Sequence, residues 1–370
     1  MAGIDFSVSR MTLAALCLAL AACGGGDGDN DAPAPAPAPA PTPAPPSAPS
    51  PGIVKSVSLV AGGGSGATGS CGETDGIGSE ARLGYLRDMA VANDGTVYVL
   101  ETPCTGPWSS PQRVRSITES GQTATMATGF TGSLPPGELL HSFMLGSQLA
   151  VGDSGAVYLM DTIWDGVFLR PVYSPGMASG IWKITPTGAQ AFTGIQSQGT
   201  ADGQGLDAQF DSASNMVFSD GALIVTDYNL LTRKVTEDAV VTTVTLPYRP
   251  DMTDNAGGLY QRMGDWNSGQ GILMRFDGYA VAAPGLMEAP LAISSDGTVY
   301  GTRKDADSPA YRLYRQKADG TAELIEGPDG GEASSWVSSS LTPVTRLKLD
   351  RAGHLYVGHG HQIWKVTFYD

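Results

Sequence analysis

Three things are scarce in this 370-residue chain, and each scarcity excludes something. The apolar run near the N-terminus, from Met11 to Leu20, is only ten residues long. A membrane-crossing helix needs about 20, so this run does not span a bilayer. Basic residues are few, 22 against 37 acidic, and the net charge of −15 excludes nucleic acid or anionic head groups as partners held by charge. A neutral or positively charged partner remains open. Cysteine is limited to four positions, none with the spacing of metal ligands.

What is present begins with a targeting signal. A short polar start ends at Arg10, the apolar run follows, and small residues lead to Cys23, the layout of a cleaved secretory peptide over residues 1–22. Leu20-Ala21-Ala22-Cys23 resembles the lipobox of bacterial lipoproteins. That resemblance implies lipid on the Cys23 thiol, cleavage before it, and a membrane partner reached through the lipid. Gly24, rather than Asp, follows the cysteine, which in that family implies the outer membrane, on its periplasmic or outer side. Residues 23–52 are Gly/Asp-rich and then Pro/Ala-rich, a spacer whose twenty Pro/Ala-rich residues reach roughly 60 Å when extended as polyproline II. With Cys17 in the signal and Cys23 lipidated, Cys71 and Cys104 remain. In an oxidising compartment they form one disulfide or stay as two free thiols.

Residues 53–370 carry an internal repeat. Five units pair an apolar strand with a Gly-terminated turn and a second strand, as in Met89-Ala90-Val91 before Thr96-Val97-Tyr98-Val99. The turn glycines are Gly95, Gly155, Gly221, Gly297 and Gly353. A third strand recurs, clearest in Ile181-Trp182-Lys183-Ile184 and Ile363-Trp364-Lys365-Val366, and a fourth follows in every unit but the last. Val57 to Gly62 supplies the missing strand from the N-terminal side. Four antiparallel strands per unit, with the ring shut by an N-terminal strand that completes the last blade, predict an all-β β-propeller.

Asp75-Gly76-Ile77-Gly78-Ser79-Glu80-Ala81-Arg82-Leu83 and Asp202-Gly203-Gln204-Gly205-Leu206-Asp207-Ala208-Gln209-Phe210 are near copies of one phrase. With the strand phrases, the domain resembles NHL-repeat propellers. The resemblance implies the fold and no particular activity. The turn glycines lie 60, 66, 76 and 56 residues apart, more than that family's usual repeat, so insertions separate the blades. The largest, 247–285, has room for a sixth blade.

Glu101, Asp161, Asp227, Arg303 and His359 each stand six residues after a turn glycine. Such a column either forms a ring of polar groups at the channel mouth or caps the turns into the third strands. His359, His361 and Asp227 are the candidate metal ligands, because His359-Gly360-His361 aligns two imidazoles if the segment is extended. Trp108, Trp164, Trp266 and Trp336 fall in Gly/Pro/Ser-rich connections and are candidates for a binding surface, as are Tyr173 and Tyr260. Two motif matches carry no chemistry. Gly64 to Gly69 fits G-x-G-x-x-G but no helix follows to aim at a phosphate, and Gly152-Asp153-Ser154-Gly155 occupies a repeated hairpin turn.

The leading expectation is a lipid-anchored, non-catalytic binding module for a protein or glycan, its long loops 101–112, 161–180 and 247–285 gripping the partner. The alternative is a lactonase-like hydrolase or lyase with calcium or zinc in the channel, held by residues such as Glu101, Asp227 and Asn229. No cofactor is predicted for the leading reading.

Overall fold

The computed structural model describes residues 54–65, 69–105, 112–128, 148–162, 179–194, 198–227, 231–265, 270–278, 280–282, 286, 291–304, 311–317, 319–325 and 344–369. The signal, Cys23 and the linker therefore lie outside the described residues.

Apolar strands separated by tight turns form six antiparallel sheets, the blades of a propeller. Blade 1 consists of Tyr85–Val91, Val97–Thr102, Arg113–Ile117 and Gln122–Thr128, and blade 2 of Gln148–Val151, Val157–Thr162, Ser179–Thr185 and Gly188–Thr193. Blade 3 is Asn215–Ser219, Ala222–Thr226, Thr232–Thr236 and Val240–Val244, and blades 1 and 3 each carry a short fifth strand on the outside, Gly76–Ile77 and Gly203–Gln204. Blade 4 is Met252–Thr253, Leu259–Asp265, Gln270–Arg275 and Ala280–Ala282. Blade 5 is Leu291–Ile293, Val299–Lys304, Tyr311–Gln316 and Ala322–Leu324. Blade 6 comprises Val344–Leu349, Leu355–His359 and Gln362–Phe368, completed by Val54–Ala61.

Blade 4 occupies the stretch 247–285, which is thus a blade and not a partner-gripping loop. Its first strand has only two residues, Met252–Thr253, too short for an alternating pattern to register in the sequence. Tyr260 is consequently fully buried in a second strand and is no surface aromatic.

The closing strand pairs antiparallel with the C-terminal one, Val54 opposite Phe368 and Ala61 opposite Ile363. This shuts the ring and covers the outer edge of Gln362–Phe368, giving blade 6 its fourth strand. The core lies between blades. Ala90 and Leu100 of blade 1 pack on Leu149 and Leu159 of blade 2, Ile181 of blade 2 on Leu223 of blade 3, Tyr260 on Val299, Tyr300 on Leu347, and Tyr356 on Met89 across the closure. Blades 3 and 4 are joined by the Ser219 hydroxyl, which donates to Gly257 O at 2.7 Å. Burying each such side chain stabilises the ring by about 1.5–3 kcal/mol before entropy is counted.

The two faces of the disc are built differently. First-to-second and third-to-fourth strand links are tight turns, such as that closed by Gly95 N–H donating to Ala92 O at 3.0 Å. Second-to-third links and blade-to-blade links return to the opposite face, here termed the connection face. Every break of three or more residues in the described set, after the start at Val54, falls within such a link. The closing strand runs from the tight-turn face toward the connection face, so the chain before Val54 joins the disc on the tight-turn side.

Candidate functional site

The charged column lies at the ends of the second strands, toward the connection face. It does not line the channel. Glu101, Asp161, Asp227 and His359 are buried at 0–2 % exposure, and Arg303 lays its guanidinium 4.0 Å from the centre of the Tyr314 ring.

Two members of the column are explained in full by one arrangement built twice. In blade 1, Arg115 donates through Nη1 to Glu101 Oε1 (3.3 Å) and Arg82 O (2.6 Å), and through Nη2 to Asp75 Oδ1 (2.7 Å) and Thr74 O (2.8 Å). In blade 3, Arg233 donates through Nη1 to Asp227 Oδ2 (3.3 Å) and Gln209 O (2.9 Å), and through Nη2 to Asp202 Oδ1 (2.8 Å) and Ala201 O (2.9 Å). Asp75 and Asp202 in turn accept from the backbone N–H and hydroxyl of Thr125 and Thr243. The repeated sequence phrase is therefore a rivet. It straps a connection to its own blade, and its glycines serve the path of the strap: Gly78 and Gly205 take φ of 56° and 58°.

The electrostatics follow from burial. Desolvation raises Glu101 against the pull of Arg115 and the Gly84 N–H, and pushes Asp227 from an ordinary 3.8 up to about 7 despite Arg233. Asp202, at the exposed end of its rivet, is held low by the Thr243 N–H. A carboxyl near 7 in a cleft reads as a general base. Here it faces an arginine inside a blade instead.

The candidate metal ligands do not converge. His359 and His361 are not extended, since His359 pairs with Gln362 across a two-residue turn through Gly360 at φ 59°. His359 is buried, His361 Nδ1 lies 2.9 Å from Gly84 O with its ring against Tyr85, and Asp227 is engaged by Arg233. Among the described residues no three His, Cys, Asp or Glu side chains gather as a metal site. Asn229 lies outside the described residues. So do Trp108, Trp164, Trp266, Trp336 and Tyr173.

Cys71 and Cys104 are bonded, with Cα atoms 5.8 Å apart. The bridge ties the segment before blade 1 to the second-to-third link of that blade.

One open space, which the column does not line, lies on the axis. A cavity of about 330 Å³ is walled by the first strands of all six blades. Its mouth on the tight-turn face is ringed by Asn93, Asp153, Asp220, Asn255 and Arg351. Arg351 of blade 6 donates to Asp153 of blade 2, an ion pair that reaches past blade 1 along the rim of the opening.

The chain matches no family model. No characterised protein matches it in sequence either. In structure it is similar to a protein of unknown function from Bacteroides thetaiotaomicron (TM-score 0.49, 16 % identity, covering 85 % of this chain and 76 % of that one). It is also similar to streptogramin B lyase (TM-score 0.36, 14 % identity, 78 % and 93 % covered) and to the acylaminoacyl peptidase of Pyrococcus horikoshii (TM-score 0.39, 13 % identity, 76 % and 52 % covered). At these identities no activity carries over.

Sequence reasoning placed the polar ring six residues after the turn glycine. The groups around the mouth stand at the turn itself, as Asn93, Asp153, Asp220 and Arg351 do. Their signal was in the sequence as the polar residues of the repeated turn, and only the ring closure shows that the turns of blades 1, 2, 3, 4 and 6 surround one opening.

Proposed function

We propose that the chain is a lipid-anchored, non-catalytic binding propeller that takes a protein or glycan partner on its connection face, in the periplasm or at the cell surface. The observation that carries this reading is topological. Four of the six tryptophans, Trp108, Trp164, Trp266 and Trp336, belong to segments that leave and rejoin the blades on that one face. Tryptophan is costly to expose and strong in recognition, which favours a contact surface over a solvated one. The first described strand begins at the opposite face, at Val54, so the chain enters the propeller away from the connections. Against a channel metal stands the prior engagement of its candidate ligands in rivets and turns.

The test places a photo-reactive residue at exposed positions of each face of the full chain in a living bacterium. Tyr85 and Thr105 sample the connection face, Ser154 and Asp296 the tight-turn face. Discrete adducts are expected from the first pair, weakened when the four tryptophans become alanine. Equal adducts from both faces, or adducts indifferent to the tryptophans, overturn the reading.

A further inference from the structure

We propose that the axial channel is a second binding site, for a small amphipathic anion: an apolar body bearing a carboxylate, with Lys348 as the charged pole. The inference is independent of partner binding on the connection face.

The argument rests on equivalence between blades. Ala90 pairs with Tyr98, Ala150 with Tyr158, Met252 with Tyr260, Ala292 with Tyr300 and Lys348 with Tyr356, while Val217 pairs with Ile224. These six first-strand residues thus stand at one level around the axis, and all six line the cavity. Five are apolar. The next level toward the tight-turn mouth is Val91, Val151, Phe218, Thr253, Ile293 and Leu349, with Thr253 its sole hydroxyl. Lys348 is therefore the one charge in two successive rings of the wall.

The fold does not require that charge. Alanine, valine and methionine serve at the same level in the other blades, each packed and largely buried or half-buried. Lys348 instead remains exposed to the channel, and it makes no hydrogen bond or ion pair among the described residues. Of the three carboxylates that line the cavity, Asp220 stands at the tight-turn mouth, beyond both rings, and the other two are engaged. Asp153 accepts from Arg351, and Asp254 Oδ1 accepts from the N–H groups of Ala256 (2.9 Å) and Gly258 (2.7 Å). An ammonium that stands alone among apolar side chains, without an ion pair to any described carboxylate, is suited to an external anion. The volume limits the ligand to a small one. About 330 Å³ is near the lower end of the ~300–1,000 Å³ range of small-molecule sites.

Sodium octanoate and its uncharged counterpart 1-octanol are the probes, titrated calorimetrically into the full chain. Octanoate is expected to bind one to one and more tightly than octanol. Lys348→Met, which copies the residue at the same level of blade 4, should weaken octanoate by about tenfold or more and leave octanol unchanged. Lys348→Arg, which keeps the charge, should retain octanoate. The inference is overturned by the absence of saturable octanoate binding, by equal affinity for octanol, by an unaltered Lys348→Met, or by equal losses in the methionine and arginine variants.

Discussion

Arg115 and Arg233 each bring a full positive charge to 0 % exposure, and each meets one buried and one exposed carboxylate. Taking such groups out of water costs several kcal/mol, which the fourfold acceptor sets offset only through close geometry. The two ends of a rivet titrate in opposite senses. Asp227 keeps its proton in the folded chain up to about 7 because it is desolvated, whereas the unfolded carboxyl loses it near 3.8. The native state then binds more protons across that window, so the stability owed to this group is fully present at low pH and is lost as pH rises through the folded value. Urea midpoints should accordingly fall between about pH 4 and pH 7, and Asp227→Asn should flatten that slope. Equal slopes in both proteins would contradict the account. Sequence alone placed Asp227 in a charged column. That it faces Arg233 rather than the axis depends on a strap that begins twenty-five residues earlier, at Asp202.

Among elements, the connection that precedes blade 1 is the most heavily fastened of those described. It is held by the Arg115 rivet, by the Cys71–Cys104 bond and by the contact of Gly62 with blade 6. Gly62 has φ 95°, and a Cβ there would sit 2.0 Å from His361 O, so no side chain is tolerated where the closing strand turns into blade 1. The disulfide closes a loop with a sequence separation of 33 residues. On loop entropy alone its loss costs about 3–4 kcal/mol. Cys71→Ser with Cys104→Ser should lower the unfolding free energy by that order without altering the far-ultraviolet spectrum of the folded chain, and a loss under about 1 kcal/mol would show that the rivet alone fixes the connection. Five blades were legible because an apolar strand, a polar turn ending in glycine and a second strand recur with them. Blade 4 was not, since two residues of first strand cannot display a period of two.

At the scale of the molecule, ring closure sets everything that no single blade contains: the channel, the unlike faces and the face at which the first strand begins. The proposed lipid on Cys23 lies outside the ring, whose closing strand begins at Val54. Cys23→Ala should therefore move the protein from the membrane pellet to the soluble fraction while its melting transition stays within about 1 °C, a neutral change for a site outside the folded ring. A large drop in melting temperature would mean that the N-terminal region contributes to the propeller.

Local chemistry determined the strands, the turns, the repeated phrase and the N-terminal closing strand, because hydrophobic alternation and glycine turns act over a few residues. The same local signals carry the expectation of a secreted, lipid-bearing chain. Tertiary structure alone decided which charged residues are internal fasteners and which surround open space. Burial and convergence are properties of residues far apart in sequence: Arg351 meets Asp153, and Lys348 shares a level with Ala90, only after six blades have closed on one axis.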